Sequence, residues 1–240
     1  MTVKKAVVLM AKAPLPGEVK TRLTPRLTAF QAAELYRCFL LDAVEQAQEV
    51  CGADVVLAYA PANGLHLLPA EVRSAVPCIP QPGGHLGERM RGVFEALFAL
   101  GYESVVMTGT DLPTLPPRYT GAAFDLLEDA PVVLGPGLDD GYYLLGLRGV
   151  LPDVFEGIEW STSRVFQQTY ERLHRLGHAV RCTPPWYDVD NADDLDRLIT
   201  HLTLLQGCRA AQLPRHTTAW LQRVGLLPEL EKGAYRATAS

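Results

Sequence analysis

The stretch that decides the fold reads Ala6-Val-Val-Leu-Met-Ala-Lys-Ala-Pro-Leu-Pro-Gly-Glu-Val-Lys-Thr-Arg-Leu-Thr-Pro25. It opens with a short apolar run of the kind found in buried strands, and we predict a strand over residues 4–11. A helix is predicted to begin near Thr28, because Thr28 and Gln31 have the spacing of a capping box. The charged loop between them therefore joins a buried strand to a helix.

This first loop is suited to holding an anion, because it carries Lys12, Lys20 and Arg22 and is shaped by prolines and Gly17. An ammonium supplies a point charge and a guanidinium supplies a planar fork for paired oxygens, so phosphate is the expected anion. The loop is not a P-loop, since the first glycine and the four-residue spacer of that motif are missing. A solvated charged loop without a ligand is the alternative interpretation.

Composition sets the class of protein. The chain has 240 residues, of which 48% are hydrophobic and 20% charged, with a net charge of −5. These values are typical of a globular domain and do not favour nucleic acid as a partner. Five widely separated cysteines, none in a Cys-x-x-Cys pair, indicate neither a disulfide framework nor a thiolate metal site. We see no signal peptide and no apolar stretch of the ~20 residues that a membrane span needs, so we expect a cytoplasmic protein.

Apolar runs and helical periodicity alternate along the chain. The predicted strands that follow the first one cover residues 53–60, 76–79, 104–109, 132–134, 142–147 and 178–182. Strands separated by helices predict an α/β domain with a mainly parallel sheet.

We expect a single domain over residues 1–230. Its nucleotide-binding part covers about residues 1–112, its acceptor part about 113–205, and a C-terminal helical segment about 206–230, followed by a loose tail at 231–240. Apolar residues in the C-terminal segment suit a helix that packs on its own domain or on a partner, so a homodimer is possible.

Ligands of open α/β sheets bind beyond the carboxyl ends of the strands. Polar clusters occupy such positions in the first loop, in Gln81–Arg89, at Thr110-Asp111, at Asp139-Asp140-Gly141 and at Tyr187–Asp190. Their convergence predicts a binding site at one edge of the sheet.

The second cluster is rich in glycine, with Gly83, Gly84 and Gly87 between Gln81 and Arg89. Glycine has no side chain to obstruct a nucleotide, so this segment would surround the base or ribose. A plain turn that begins a helix explains the same residues equally well.

Three carboxylates predict a divalent metal site. Asp111 ends a buried strand, while Asp188 and Asp190 flank Val189 and would share one face of an extended chain. Carboxylate oxygens are ligands for Mg²⁺ or Mn²⁺ bridging to phosphate. The alternative for Asp190 is helix capping, by Asp190 or by Asn191, and the two roles are compatible.

Other polar residues support simpler expectations. Asp139 and Asp140 read as a turn pair unless a cation or a sugar hydroxyl meets them. Ser161 is expected to cap the following helix, predicted at residues 162–176, and an acceptor pocket at Trp160-Ser161 is the alternative. The histidines other than His85 are expected to be exposed to solvent.

Long ordered motifs resemble those of the rSAM/selenodomain-associated transferases. They are Lys12-Ala-Pro-x-Pro-Gly-x-Val-Lys-Thr-Arg-Leu23, Gly109-Thr-Asp-Leu-Pro113, Gly135-Pro followed by Asp139-x-Gly-Tyr-Tyr-Leu-Leu-Gly146, Trp160-Ser161 and Tyr187-Asp-Val-Asp190. The resemblance spans roughly residues 4–200.

That family is glycosyltransferase-like and lies in the nucleotide-diphospho-sugar transferase superfamily, with 2-phospholactate guanylyltransferase among its relatives. The resemblance implies a GT-A-like three-layer sandwich and metal-dependent handling of a nucleotide. One departure is notable: the family's usual Asp-Gly-Gly-Tyr reads Asp139-Asp140-Gly141-Tyr142 here.

The favoured hypothesis is an enzyme that transfers a glycosyl group from a nucleotide-sugar to a small acceptor. The cations of the first loop would neutralise the diphosphate, and Asp111 and Lys20 would act at the reacting phosphate. Asp139 would contact the sugar or serve as base.

Nucleotidyl transfer is the alternative, in which a phosphorylated acceptor attacks a nucleoside triphosphate and pyrophosphate leaves. A nucleotide-binding module without chemistry is the second alternative.

Overall fold

Seven strands form one sheet in the part of the chain that the computed structural model describes, residues 3–149, 151–208 and 213–228. In chain order they are β1 (Lys5–Lys12), β2 (Ala53–Ala60), β3 (Cys78–Pro80), β4 (Ser104–Gly109), β5 (Val132–Pro136), β6 (Tyr142–Arg148) and β7 (Val180–Cys182). Their order across the sheet is β3-β2-β1-β4-β6-β5-β7. β6 is antiparallel to β4 and β5, and all other pairings are parallel.

Seven α-helices lie between and after these strands in the described residues. They are α1 (Ala29–Gln48), α2 (Ala70–Ala75), α3 (Leu86–Ala99), α4 (Pro117–Asp129), α5 (Val165–Arg175), α6 (Ala192–Gly207) and α7 (Arg215–Arg223). Helices α1, α4, α6 and α7 share one hydrophobic core with the sheet, and α3 and α5 share the other. The predicted three-layer α/β sandwich is confirmed.

The central strand β1 explains why its sequence is a continuous apolar run. Val7 and Leu9 belong to one core, and Ala6 and Val8 belong to the other. Because successive side chains of a strand point to opposite faces, a strand covered by helices on both faces needs apolar residues at every position.

Helix α1 begins where the sequence predicts. Thr28 accepts a hydrogen bond from the Gln31 backbone N–H at 3.2 Å, and the Gln31 side chain accepts one from the Thr28 N–H at 2.9 Å. This capping box satisfies two backbone donors that a helix start leaves free. It fixes the far end of the first loop.

Strand order reverses at β1, which has β2 on one side and β4 on the other. Loops that leave neighbouring strands on opposite sides of such a switch point open a crevice at the carboxyl edge of the sheet. Strand β5 points the same way as β1, so the β5–β6 turn at residues 137–141 lies at this edge as well.

Several sequence predictions need correction. The third strand begins at Cys78 rather than Val76, and the last strand begins at Val180 rather than His178. Helix α5 begins at Val165, and Ser161 does not cap it, because its N-cap residue is Arg164 and no side chain caps this helix. His201 and His216 are half-buried and hydrogen-bonded, to Tyr187 and Glu45 respectively, rather than exposed.

The C-terminal helix α7 packs on its own domain. Both carboxylate oxygens of the buried Asp42 accept hydrogen bonds from backbone N–H groups at its start, His216 at 2.9 Å and Thr217 at 2.8 Å. Trp220 and Leu221 enter the core that α1 lines. The predicted loose tail at 231–240 lies outside the described residues.

All five cysteines are free in this structure. Among the described residues, no helix is long and apolar enough to cross a membrane.

Candidate active site

A cavity of about 440 Å³ lies at the carboxyl end of β1, where the strand order reverses. It brings together much of the predicted nucleotide site. The lining residues are Met10, Ala11, Lys12, Glu18, Val19, Lys20, Thr21, Arg22, Tyr36, Gln81, Leu86, Arg89, Asp111, Ser161 and Asp190. We call it the first-loop cavity.

Lys20 forms two ion pairs at the centre of this cavity. Its ammonium lies 2.9 Å from Asp111 Oδ2 and 2.7 Å from Asp190 Oδ1, and only 5% of its side chain is exposed. Burial opposes the charge on Lys20, but the two carboxylates outweigh burial and raise its pKa above the ordinary value. Lys20 is therefore a fixed cation held between two acids.

Backbone hydrogen bonds explain why acids distant in sequence meet here. The Val189 N–H donates to the Asp111 carbonyl at 3.0 Å, which ties the Asp188–Asp190 segment to the end of β4. Asn191, rather than Asp190, caps α6. The Asp190 carboxylate is therefore free to face Lys20.

The carboxylates of the site differ in how readily they lose their protons. Burial would raise the pKa of Asp190, but Lys20 and then Arg22 and Lys12 lower it below the ordinary value. At Asp188, burial and the charges of Asp190, Asp139 and Asp111 raise the pKa to about 7. We call Asp139 and Asp188 the acidic flank, because neither carboxylate forms a salt bridge within the described residues, whereas Asp111 and Asp190 both pair with Lys20.

The donor chemistry of the site fits a divalent cation. Asp111 Oδ1 is buried without a hydrogen-bond partner in the described structure, and burial together with the neighbouring carboxylates raises the pKa of Asp188. Hard cations prefer such oxygens. The oxygens of Asp111, Asp188 and Asp190 do not form a three-residue group within 4.8 Å of one another, because Lys20 stands between Asp111 and Asp190.

One described group does meet that criterion, Asp42, Glu45 and His216. It shares no residue with the first-loop cavity. Asp42 is engaged by backbone N–H groups of α7, and Glu45 pairs with both Arg215 and His216. These contacts attach α7 to α1, so we assign the group a structural role.

Gln81 lines the cavity, but most of its hydrogen-bonding capacity is used within the protein. Its Nε2 donates to the carbonyls of Ala11 at 2.9 Å and Ala58 at 2.7 Å, and its Oε1 accepts from Arg89 Nη1 at 3.2 Å. Gln81 therefore ties β1 to β2 and orients Arg89. Arg89 Nε is buried and has no partner within the described residues, so this guanidinium keeps a donor for a ligand.

The predicted glycines do not line the cavity. A Cβ on Gly87 would lie 2.6 Å from Trp160 Cζ2, so its small size lets the indole pack against α3. Gly84 and Gly17 have φ of +104° and +80°, which favour glycine, while nothing lies within 4 Å of a Cβ on Gly83. The turn-and-helix-start interpretation accounts for these residues.

Asp139 shapes the β5–β6 turn. Its Oδ1 accepts a hydrogen bond from the Gly141 N–H at 3.0 Å, as the turn-pair interpretation predicts. Asp140 has φ of +65°, a conformation that glycine adopts readily and aspartate tolerates. Asp140 thus occupies a backbone position that suits glycine.

Sequence reasoning did not identify Tyr36. Its buried hydroxyl accepts from the Lys12 N–H at 3.0 Å and lies 3.0 Å from Thr110 Oγ1, and its ring centroid is 5.9 Å from the Lys20 ammonium. On sequence alone it is one more member of the buried face of α1. Only the fold shows that it supports the first loop.

Strained backbone concentrates at this site. The described residues with positive φ that are not glycine are Lys20 at 50°, Asp140 at 65° and Ser161 at 65°. Lys20 and Ser161 line the cavity, and Asp140 adjoins the acidic flank. Such conformations persist only where the surrounding structure enforces them, and they cluster at functional sites.

Residues 42–162 match the model of a family described as an uncharacterized protein conserved in bacteria, DUF2064. The chain belongs to this family. No curated protein matches it by sequence. The narrower assignment to the rSAM/selenodomain-associated transferases stays a prediction.

Solved structures place this DUF2064 chain among nucleotide-diphospho-sugar transferase folds. A proposed nucleotide-diphospho-sugar transferase from Desulfovibrio desulfuricans G20 is 32% identical over 93% of this chain and 96% of its own, with a TM-score of 0.82.

Two more distant structures share the fold. The 4-diphosphocytidyl-2C-methyl-D-erythritol synthase of Anaerococcus prevotii DSM 20548 is 10% identical over 82% of this chain and 96% of its own, with a TM-score of 0.56. A cytidylyltransferase from Leptospira borgpetersenii serovar Hardjo-bovis (strain JB197) is 10% identical over 96% and 99%, with a TM-score of 0.52. At this identity the likeness shows the fold alone.

Proposed function

We propose that this DUF2064 protein transfers a glycosyl group from a nucleotide-sugar to a small hydroxyl-bearing acceptor. The observation that carries the proposal is the division of the site into a cationic cavity and an acidic flank. Lys12, Arg22 and Arg89 line the cavity and would hold the diphosphate. Its 32% identical relative is named for nucleotide-sugar chemistry, which supports the same donor.

The acidic flank favours a sugar over a phosphorylated acceptor. Burial, together with the nearby carboxylates Asp190, Asp139 and Asp111, raises the pKa of Asp188 to about 7, and a second phosphate placed beside these carboxylates would be repelled. Sugar hydroxyls donate hydrogen bonds, and carboxylates accept them. Neutral hydroxyl groups therefore suit this flank better than an anionic acceptor does.

In the proposed reaction the acceptor oxygen forms a bond to the anomeric carbon of the donor. The bond from that carbon to the phosphate oxygen breaks, and the nucleoside diphosphate leaves with the electron pair. The acceptor proton passes to a carboxylate of the acidic flank, for which we name Asp139. Lys20, with Lys12 and Arg22, stabilises the charge that grows on the leaving diphosphate.

Asp111 and Asp190, with Asp188 beside them, would hold Mg²⁺ or Mn²⁺. A bound divalent ion supplies neutralisation of the departing phosphate charge. Lys20 would then exchange part of its contact with these acids for contact with phosphate.

Product analysis tests this proposal. The protein is incubated with UDP-glucose, GDP-mannose and the common nucleoside triphosphates, with Mg²⁺ or Mn²⁺ and mixed small alcohols and acids as acceptors. Release of nucleoside diphosphate, detected by mass spectrometry, is the expected outcome. Asp111→Asn should abolish it, and Asp125→Asn, an exposed aspartate on α4, should not.

Nucleotidyl transfer remains the second candidate because of the charge count in the cavity. Four cations (Lys12, Lys20, Arg22, Arg89) face three carboxylates (Glu18, Asp111, Asp190) there, and a triphosphate carries more charge than a diphosphate. Pyrophosphate release from a triphosphate would establish this candidate and refute glycosyl transfer. Metal-independent binding that survives Asp111→Asn would instead indicate a binding module without chemistry.

A further inference from the structure

Residues 157–164 form the last part of the connection from β6 to α5 and return the chain to the first-loop cavity. Ser161 lines that cavity together with Lys20, Asp111 and Asp190. Its side chain is exposed, caps no helix and makes no hydrogen bond among the described residues. This cavity-lining hydroxyl is therefore available to a ligand.

The backbone at Ser161 is held in an unfavourable conformation. Its φ of 65° lies in the left-handed region, where a residue with a Cβ is strained. Serine is not a residue that favours this conformation, and Ser161 does not cap a helix. Glycine would adopt the conformation freely. A hydroxyl maintained at a strained position beside reactive groups is an indication of function.

The neighbouring residue fixes this loop on the body of the protein. The Trp160 indole packs so closely on α3 that a Cβ on Gly87 would lie 2.6 Å from its Cζ2. Its other side meets Tyr142 edge-to-face, with ring centroids 6.5 Å apart. Trp160 thus positions Ser161 relative to the cavity.

The loop is also joined to the acidic flank. The Phe166 N–H at the start of α5 donates to the Asp140 carbonyl at 3.0 Å, which links the segment after Ser161 to the β5–β6 turn. The segment that carries Ser161 therefore lines the cavity of the cations that would hold phosphate, and its continuation is attached to the turn that carries Asp139.

We infer that the Ser161 hydroxyl hydrogen-bonds the transferred sugar, with Trp160 as its positioning residue, an inference that rests on the proposed glycosyl transfer. The contact is to the sugar and not to the phosphates, so it distinguishes a nucleotide-sugar from the corresponding nucleoside diphosphate. Ser161 is then a specificity-determining residue of the site.

The test compares dissociation constants from calorimetry, with Mn²⁺, for the pairs UDP and UDP-glucose, and GDP and GDP-mannose. The proteins are the wild type, Ser161→Ala, Ser161→Gly and Ser163→Ala, the last being an exposed serine on the same loop. Ser161→Ala removes the hydroxyl and keeps the backbone strain. Ser161→Gly removes both the hydroxyl and the backbone strain. A folding defect caused by the strain would therefore appear in Ser161→Ala and not in Ser161→Gly.

We expect both Ser161 variants to weaken nucleotide-sugar binding about 3- to 10-fold, the worth of one hydrogen bond, and to leave diphosphate binding within about twofold. Ser163→Ala should match the wild type for both ligands. If Ser161→Ala binds the nucleotide-sugar as Ser163→Ala does, the inference is wrong. Equal weakening for sugar and diphosphate would also overturn it, since the contact would be to phosphate. A wild type that binds none of the four ligands would refute the proposed function itself.

Discussion

Replacing Lys20 by methionine tests the electrostatic centre of the site. The substitution keeps an unbranched apolar stem and removes the ammonium that lies 2.9 Å from Asp111 and 2.7 Å from Asp190. The two carboxylates are then left facing each other and the acidic flank. We expect a less stable protein whose carboxylates are more available to a cation.

The size of the effect follows from the exposure of the partners. Removing one partner of a fully buried ion pair costs about 3–5 kcal/mol. The Asp111 and Asp190 side chains keep 33% and 42% of their surface exposed, and water screens them in part, so we expect about 2–3 kcal/mol. At about 2–4 °C per kcal/mol for a chain of this size, the melting temperature should fall by about 4–12 °C.

The assay is thermal unfolding with and without Mn²⁺. Because the ammonium no longer competes for Asp111 and Asp190, Mn²⁺ should raise the melting temperature of Lys20→Met more than that of the wild type. Lys5→Met, at the opposite end of β1, is the matched control; it removes a cation–π contact with the Phe124 ring at 5.5 Å and should cost about 1 kcal/mol or less. A Lys20→Met protein as stable as this control, or one with a wild-type response to Mn²⁺, would refute the reasoning.

Three further substitutions test other parts of the structure. Gly87→Ala should lower the free energy of unfolding in urea by about 1–3 kcal/mol, because its Cβ would lie 2.6 Å from Trp160 Cζ2. The control is Gly121→Ala, on α4 with nothing within 4 Å of its Cβ, which should stabilise the protein by about 0.5–1 kcal/mol. Equal effects of the two substitutions would contradict the packing argument. Asp140→Gly should raise the free energy of unfolding by up to about 1 kcal/mol, because φ is +65° there, and a clear loss would show that the aspartate side chain itself is needed. Burial lowers the pKa of His201, so the unfolded chain binds the proton more readily and the free energy of unfolding falls as the pH drops below about 6.5. In His201→Gln the free energy of unfolding, measured in urea, should depend less on pH between about 5 and 6.5. An unchanged pH dependence would contradict this assignment.

Much of the fold could be predicted from local sequence. The strand at residues 53–60 and the strand at 104–109 have the predicted bounds, because apolar runs between turn residues leave few alternatives. The strand β6 is also predicted to within one residue, but no local signal shows that it is antiparallel. Its apolar run resembles that of a parallel strand, and its direction depends on a five-residue turn that Asp139 and Asp140 close.

The sequence predicted which residues contribute to the candidate site, but not the role of every one of them. Lys20, Asp111 and Asp190 meet at the cavity, because they follow strands whose carboxyl ends share one edge. Gln81 and Gly87 also have structural roles, in tying strands and in admitting Trp160. Those roles depend on contacts with Ala58 and Trp160, which are far away in sequence, so no local pattern reveals them.

The sequence by itself determined the class of fold, the cationic first loop and the acids at strand ends. These features follow from periodicity, turn chemistry and charge, which act over a few neighbouring residues. Only the tertiary structure decided that Lys20 stands between Asp111 and Asp190, that Asn191 rather than Asp190 caps α6, and that Ser161 enters the cavity instead of capping a helix. In each case more than one arrangement of the side chains is compatible with the local sequence. The packing of segments that are distant in sequence decides which arrangement forms.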